Sequence, residues 1–240
     1  MVNIDNVYQK VLALANKEQR GYITPQEFNL FANQAQMEIF EQYFYDLNQF
    51  SRTHDNDTGH SGMIRIIEEK IGEFEFAVGT NAILSWGFMV NPVNIRIPED
   101  VYRISRVSLG ADFLACERLN RHDWNDVRQL RYLAPTPTRP IYNIRRGILR
   151  INQGSLVDPN VTQVGIHYIK TPPTVRWGYV VINEKALYDP GTTTHFGLHV
   201  SEEADLVYKI LKFAGITLEK DQIMRAGQGM EMAKVQQEKQ

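Results

Sequence analysis

The stretch of this 240-residue chain that comes closest to a chemical motif runs from Asn16 to Glu27, NKEQRGYITPQE. Aligned on Gly21, it has the length of an EF-hand calcium loop, with Ile23 at the eighth place and Glu27 at the twelfth. Helical sequence flanks it on both sides. Its ligand positions suit a hard cation poorly. Asn16 stands where an Asp is usual, Glu18 is long for the third place, and Arg20 puts a cation where calcium needs an oxygen. A simpler reading accounts for every residue. Gly21 stops one helix, Thr24 caps the next, Pro25 suits its first turn and Glu27 closes a capping box. A calcium- or metal-modulated binding module on residues 16–27 stands as the alternative of another class.

Other reactive side chains are arranged less specifically. His54, Asp55, Asp57 and His60 are dense enough to ligate a divalent ion, but the Gly/Ser/Asp-rich run 51–62 reads as a solvated linker. His195 and His199 stand four apart with Gly197 between them and read as loop or strand residues. Cys116 lies in a strand-like stretch without an activating neighbour, as a buried structural thiol does. The acid pairs Glu68-Glu69, Glu99-Asp100 and Glu202-Glu203 decorate expected helix starts and turns. No GxSxG, GxxxxGK[ST] or GxGxxG occurs. The expectation is a protein that is not an enzyme, with no cofactor and no metal. Arginine is the exception to this quiet pattern. Ten arginines and no lysine fall between residues 103 and 150. Arginine suits bidentate contact with carboxylates or phosphates, so a polar subunit interface or nearby nucleic acid are both readings of this region.

Three regions must position these residues. Residues 1–72 read as an N-terminal helical hairpin: Val7, Val11, Leu12, Leu14 and Ala15 recur at helical spacing, and a second helix from Thr24 carries Phe28, Phe31, Phe40, Tyr43, Phe44 and Leu47. That is too much apolar surface for one stripe, so the second helix is expected to be covered on two sides, by the first helix and by something else. A short amphipathic helix is expected over 63–72. Residues 73–200 read as a β-rich domain, with strand-like runs at 94–97, 102–109, 141–144, 148–151, 164–169 and 175–182. Eight of the ten prolines fall in this stretch before residue 183, which favours short strands, and Arg145-Arg146-Gly147 marks a hairpin turn. Asn120–Leu130 interrupts with a helix. Residues 201–240 give a C-terminal helix, with Leu206, Val207, Ile210, Leu211 and Ala214 on its apolar face, then a docking tail rich in Gln, Glu and Lys. The fold class is α+β: a proline-rich antiparallel β region, sandwich- or barrel-like, between N-terminal helices and C-terminal helices that pack back on them.

Composition sets outer limits. Hydrophobic residues make up 43% and the net charge is -2, so bulk phosphate neutralisation is not the default. One cysteine excludes an internal disulfide and fits synthesis in a reducing compartment. The opening MVNIDNVYQK lacks the basic and apolar parts of a signal peptide, and no apolar run is long enough for a membrane helix. A soluble product of its host's cytoplasm is expected.

Several stretches together resemble a known group. NKEQRGYITPQEFNLFANQAQMEIFEQYFYDLN resembles the N-terminal helical segment of structural proteins from tailed bacteriophages, particularly the crAss-like group and related phages of Bacteroidetes. IPEDVYRISRVSLG, TRPIYNIRRGILRINQ with VGIHYIKTPPTVRWGY, HFGLHVSEEADLVYKILKFAGITLEKDQ and MAKVQQEKQ are similar to later parts of the same proteins. The resemblance implies a virion protein of the neck or tail: a homo-oligomeric ring, head–tail connector or adaptor next to the portal, surrounding the DNA exit channel. Such rings are commonly twelve-fold. A tail-tube or tail-hub subunit is the runner-up. The implied partners are further copies of the chain, the portal and other neck or tail proteins, with packaged DNA close by and no membrane. No functional residue transfers from the group. The surfaces expected to dock are Phe31, Phe40 and Phe44 of the second helix; Arg139, Arg145 and Arg146 of the β region; and Met224, Met230 and Met232 of the tail, which is expected to order on a neighbour.

Overall fold

A computed structural model describes residues 1–16, 23–52, 58–79, 89–90, 93–109, 114–130, 132–154, 164–183, 185–217, 229 and 232. The fold is α+β. Its helices are α1 (Ile4–Asn16), α2 (Pro25–Arg52), α3 (Thr58–Gly72), α4 (Arg121–Gln129) and α5 (Glu203–Thr217). Its strands are β1 (Glu75–Val78), β2 (Met89–Val90), β3 (Val93–Arg96), β4 (Val101–Leu109), β5 (Leu114–Ala115), β6 (Glu117–Arg118), β7 (Ile141–Arg145), β8 (Ile148–Asn152), β9 (Val164–Lys170), β10 (Tyr179–Ile182) and β11 (Lys185–Tyr188). The expected linker is shorter than residues 51–62: α2 runs to Arg52 and α3 begins at Thr58. Residues 53–57 lie outside the described set.

The chain divides into two compact units, one of residues 1–73 with 172–240 and one of residues 74–171. This corrects the expected β-rich domain of 73–200, because 172–200 belongs with the helices. The reason lies on α2. Asn29, Asn33 and Gln36, at helical spacings of four and three, point their amides at the extended segment 173–177. Asn33 Nδ2 donates to Val175 O at 2.8 Å while Val175 N–H donates to Asn33 Oδ1 at 2.9 Å. Asn29 does the same for Trp177, at 3.3 and 2.7 Å. Gln36 Nε2 donates to Pro173 O at 2.8 Å, and Gln36 Oε1 accepts from Gly197 N–H at 3.0 Å. Helix side chains here replace a partner strand, satisfying backbone groups of a segment whose Val175 and Trp177 are buried. Trp177 also gives its indole N–H to Asp5 Oδ1 at 2.9 Å and lies against the Tyr8 ring.

Both α1 and α2 pack on α5, and α2 also packs on α3. Tyr8 meets Phe28 edge-on, but α5, rather than a tight α1–α2 hairpin, is the common partner. The C-terminal helix therefore packs back on the N-terminal helices as expected. Ile4, Val7 and Val11, Phe28, Phe40 and Ile39, and Leu206 and Ile210 are buried in this unit. At its α3 side, Lys70 Nζ lies 2.7 Å from Glu202 Oε1 and over the Tyr43 ring. The Glu202 side chain is 4% exposed.

In the β unit, one sheet has the order β1-β9-β4-β5 and is antiparallel throughout. The other has the order β2-β3-β8-β7-β6. Here β6 runs parallel to β7, which departs from the all-antiparallel expectation. Cys116, between β5 and β6, gives its N–H to Val107 O, and Glu117 N–H donates to Pro140 O, so the chain passes from one sheet to the other within a few residues. One core draws on both sheets, through Ile104, Val107, Ile166 and Tyr168 from the first and Ile95, Tyr142, Leu149 and Ile151 from the second. The run expected as a strand over 175–182 is a strand only at β10, which pairs with β11 in a separate two-stranded sheet of the helical unit.

Candidate interaction surfaces

The outward positions of the five-stranded sheet follow from its alternation. In β3, Ile95 faces the core, so Asn94 and Arg96 face away; in β8, Leu149 and Ile151 face the core, so Ile148 and Arg150 face away. Tyr142 and Ile144 of β7 pack on the core, leaving Asn143 and Arg145 on the outer side, where Arg145 is exposed but Asn143 is buried with its Nδ2 donating to Leu119 O at 3.0 Å. Register then sets the rows. Arg96 and Arg145 flank Ile148, and Asn94 and Asn143 flank Arg150. With strands about 4.8 Å apart, Arg96 and Arg145 have Cα atoms roughly 10 Å apart, and Arg150 sits roughly 7 Å along the central strand.

The turn joining β7 to β8 adds a fourth cation. Arg146 has φ +53° and Gly147 φ +71°, the two left-handed residues of a tight hairpin turn. The turn was legible in the sequence, but its first residue is unusual: Asn or Gly fits that conformation with less strain than Arg. Arg96, Arg145, Arg146 and Arg150 are all exposed, and none forms an ion pair among the described residues. No acid occupies either row. By contrast, Arg139 is committed within the chain, its Nε and Nη2 donating to Glu117 Oε2 at 3.1 and 2.8 Å. Arg103 and Arg106 are exposed on the outer side of β4 in the other sheet. The near-neutral total hides a division of charge. Residues 74–171 hold twelve lysines and arginines against eight acids, a net +4; the remaining residues hold fourteen against twenty, a net −6.

A second open surface is the β10–β11 hairpin. Val180 pairs with Leu187 and Ile182 with Lys185, so Val180, Ile182 and Leu187 share one face. They are 50%, 52% and 50% exposed, and Val181 on the opposite face is 62% exposed. Tyr179 and Tyr188 fix the base of the hairpin by packing on Trp177. Beyond them the ribbon carries apolar side chains on both faces, with Lys185 beside Ile182, and among the described residues it is open.

The expected docking residues fare unevenly. Phe31 and Phe40 are buried within the helical unit, Phe31 against Phe213 and Phe40 against Phe44, so they build the chain's own core. Phe44 is partly buried beside them. Met232 is exposed; Met224 and Met230 lie outside the described residues. Arg96 and the hairpin residues were not singled out from sequence. The alternation Asn94-Ile95-Arg96 and Leu149-Arg150-Ile151 is the signal that finds the arginine face, and the unbroken Val180-Val181-Ile182, with no polar side, is the one for the hairpin.

The other chemical candidates resolve into local structure. Glu27 Oε2 accepts from Thr24 N–H at 2.9 Å and from Thr24 Oγ1, and Thr24 Oγ1 accepts from Glu27 N–H, a complete capping box. The backbone N–H of Thr24, then its hydroxyl, hold the Glu27 carboxyl below its ordinary range. Residues 17–22 of the calcium-like loop lie outside the described residues, as do 53–57. His199 Nδ1 accepts from Ser201 N–H at the start of a 3₁₀ turn, and His195 Nδ1 accepts from Ile4 N–H. Cys116 is partly buried against the β core, and burial pushes its thiol up to about 12. Among the described residues no three His, Cys, Asp or Glu side chains gather as a metal site, and no helix is long and apolar enough to cross a membrane.

No family model matches the chain, and no curated protein matches it.

Proposed function

We propose that this protein is a structural subunit of a phage virion, one copy of an oligomeric ring in the neck or tail that connects head to tail around the DNA exit. The observation that carries the reading is the β10–β11 hairpin. A two-stranded ribbon is marginal alone, and this one holds Val180, Val181, Ile182 and Leu187 half or more in water. A second copy of the chain removes that surface. One copy's ribbon inserting into a different surface of the next is the head-to-tail geometry from which closed rings are built. The phage-like wording at five places along the sequence supports the same assignment, and it bears equally on the tail-tube or hub reading. The calcium-module alternative loses ground to the capping box, which already occupies the Glu27 carboxylate.

Mass photometry across a concentration series, alone and with the portal, tests the assembly step. The wild-type chain forms a discrete closed oligomer, and the double variant Val180→Lys/Ile182→Lys remains monomeric with an unchanged thermal midpoint. Identical assembly by the variant removes the hairpin as the subunit contact. Absence of the chain from purified particles, read by mass spectrometry, overturns the virion assignment.

A further inference from the structure

We infer that the outer face of the five-stranded sheet is a binding site for the phosphate backbone of duplex nucleic acid. Four arginines converge there from three neighbouring strands and the turn between two of them: Arg96, Arg150, Arg145 and Arg146. Each is exposed and free of an acidic partner among the described residues, whereas Arg139 and Arg65, elsewhere on the surface, are paired. The unit that carries them is net positive although the chain is net negative.

The composition of the face selects the ligand. Guanidinium forks match phosphate oxygens bidentately, and all four cations are arginine. Between them stand Asn94 and Ile148, with Asn143 buried beside Arg150, and among the described residues of these two rows there is no aromatic side chain on which an unpaired base would stack. A single-strand platform needs such stacking, so the face suits the outside of a duplex and reads charge rather than sequence. The roughly 10 Å between Arg96 and Arg145 along the sheet is close to the ~12 Å major-groove width, so long side chains reach both phosphate lips. Arg146 adds a separate sign. It holds a left-handed turn position that Asn fills with less strain, and it places a fourth cation at the end of the Arg96–Arg145 row.

The inference deepens the neck reading by naming the surface that meets DNA. It is tested on the isolated chain, so its failure leaves the hairpin-mediated assembly standing. Fluorescence anisotropy with two unrelated 25-base-pair duplexes measures affinity between 50 and 200 mM salt. Four phosphate contacts predict a slope of log K on log salt near about −3.6, or roughly a 100-fold loss over that range, equal for both duplexes. The variant Arg96→Gln/Arg145→Gln/Arg150→Gln retains its far-UV spectrum, since all three side chains are exposed, and its slope shrinks by about 3. Arg65→Gln on the helical unit leaves the slope unchanged. Arg146→Asn weakens binding while raising the thermal midpoint. A wild-type slope near zero overturns the inference, as does an unchanged slope in the triple variant. Loss of self-association in that variant with DNA binding intact assigns the face to a second copy instead.

Discussion

Lys70 and Glu202 form the most enclosed ion pair among the described residues, and its sensitivity is one-sided. The Glu202 side chain is 4% exposed and that of Lys70 23%. Removing the lysine leaves the buried Glu202 carboxylate with the Ser201 hydroxyl but without its cation, while the pair itself contributes little net stability. Lys70→Met is expected to cost about 2–3 kcal/mol in urea unfolding, less than a fully enclosed pair because Lys70 is partly wet. The double variant Lys70→Met/Glu202→Leu should recover most of that loss. Other buried groups bear on the alkaline limit, Tyr43 and Cys116 among them, and burial also raises the Tyr142 phenol. Burial, then the negative charges of Glu202 and Asp205, pushes the Tyr43 phenol up, and burial pushes the Cys116 thiol from 9.0 to about 12. Both groups bind their proton more tightly in the folded state. Their stabilising contribution is thus complete below pH 9 and is lost as pH rises through the thiol range and then the phenol range. Urea midpoints should fall steadily above pH 9. Cys116→Ala should remove the thiol's share of that slope, which near-neutral midpoints would not reveal. In the native protein at pH 8, Cys116 should react with thiol reagents only as fast as the β unit opens.

At the scale of elements, the amides of α2 matter more than its aromatics suggest. Asn33→Ala leaves both backbone groups of buried Val175 without partners, and a loss of about 2–4 kcal/mol in thermal or urea unfolding is expected. Asn33→Asp keeps the acceptor and loses the donor, so it should fall between. Local elements were readable from sequence because their causes are local. The capping box lies within four residues, the strands of the β unit alternate around a core face, and Arg146-Gly147 sits between two β runs. The placement of 172–200 was not readable. It depends on side chain-to-backbone pairs 137 to 161 residues apart in sequence, and an Asn or Gln on a helix looks the same whether it faces water or a peptide group. Phe31 and Phe40 misled for a related reason. Their helix has more than one apolar side because α3 and α5 cover it, which the pattern alone does not distinguish from a subunit contact.

Across the whole molecule, the summed charge concealed the division on which the arginine face depends. A composition total treats the two units as one, and their signs differ. The units differ also in continuity. Residues 74–171 form an unbroken segment with its own core, whereas the helical unit is assembled from both ends of the chain. Residues 74–171 expressed alone should show a cooperative melt and a β-type far-UV spectrum. Residues 1–73 alone should show neither a cooperative melt nor stable helix, lacking α5 and the segment held by Asn29, Asn33 and Gln36. That amide ladder has a consequence on the ribosome. Two partners of α2, the segment 173–177 and α5, are translated only after the β unit is finished, so Asn29, Asn33, Gln36 and Phe31, which packs on Phe213, wait through more than a hundred codons. At about 5–20 residues per second, that is on the order of ten seconds with an apolar helix face open to water. Nascent chains stalled before residue 172 should bind trigger-type chaperones through α2, and release should coincide with emergence of α5.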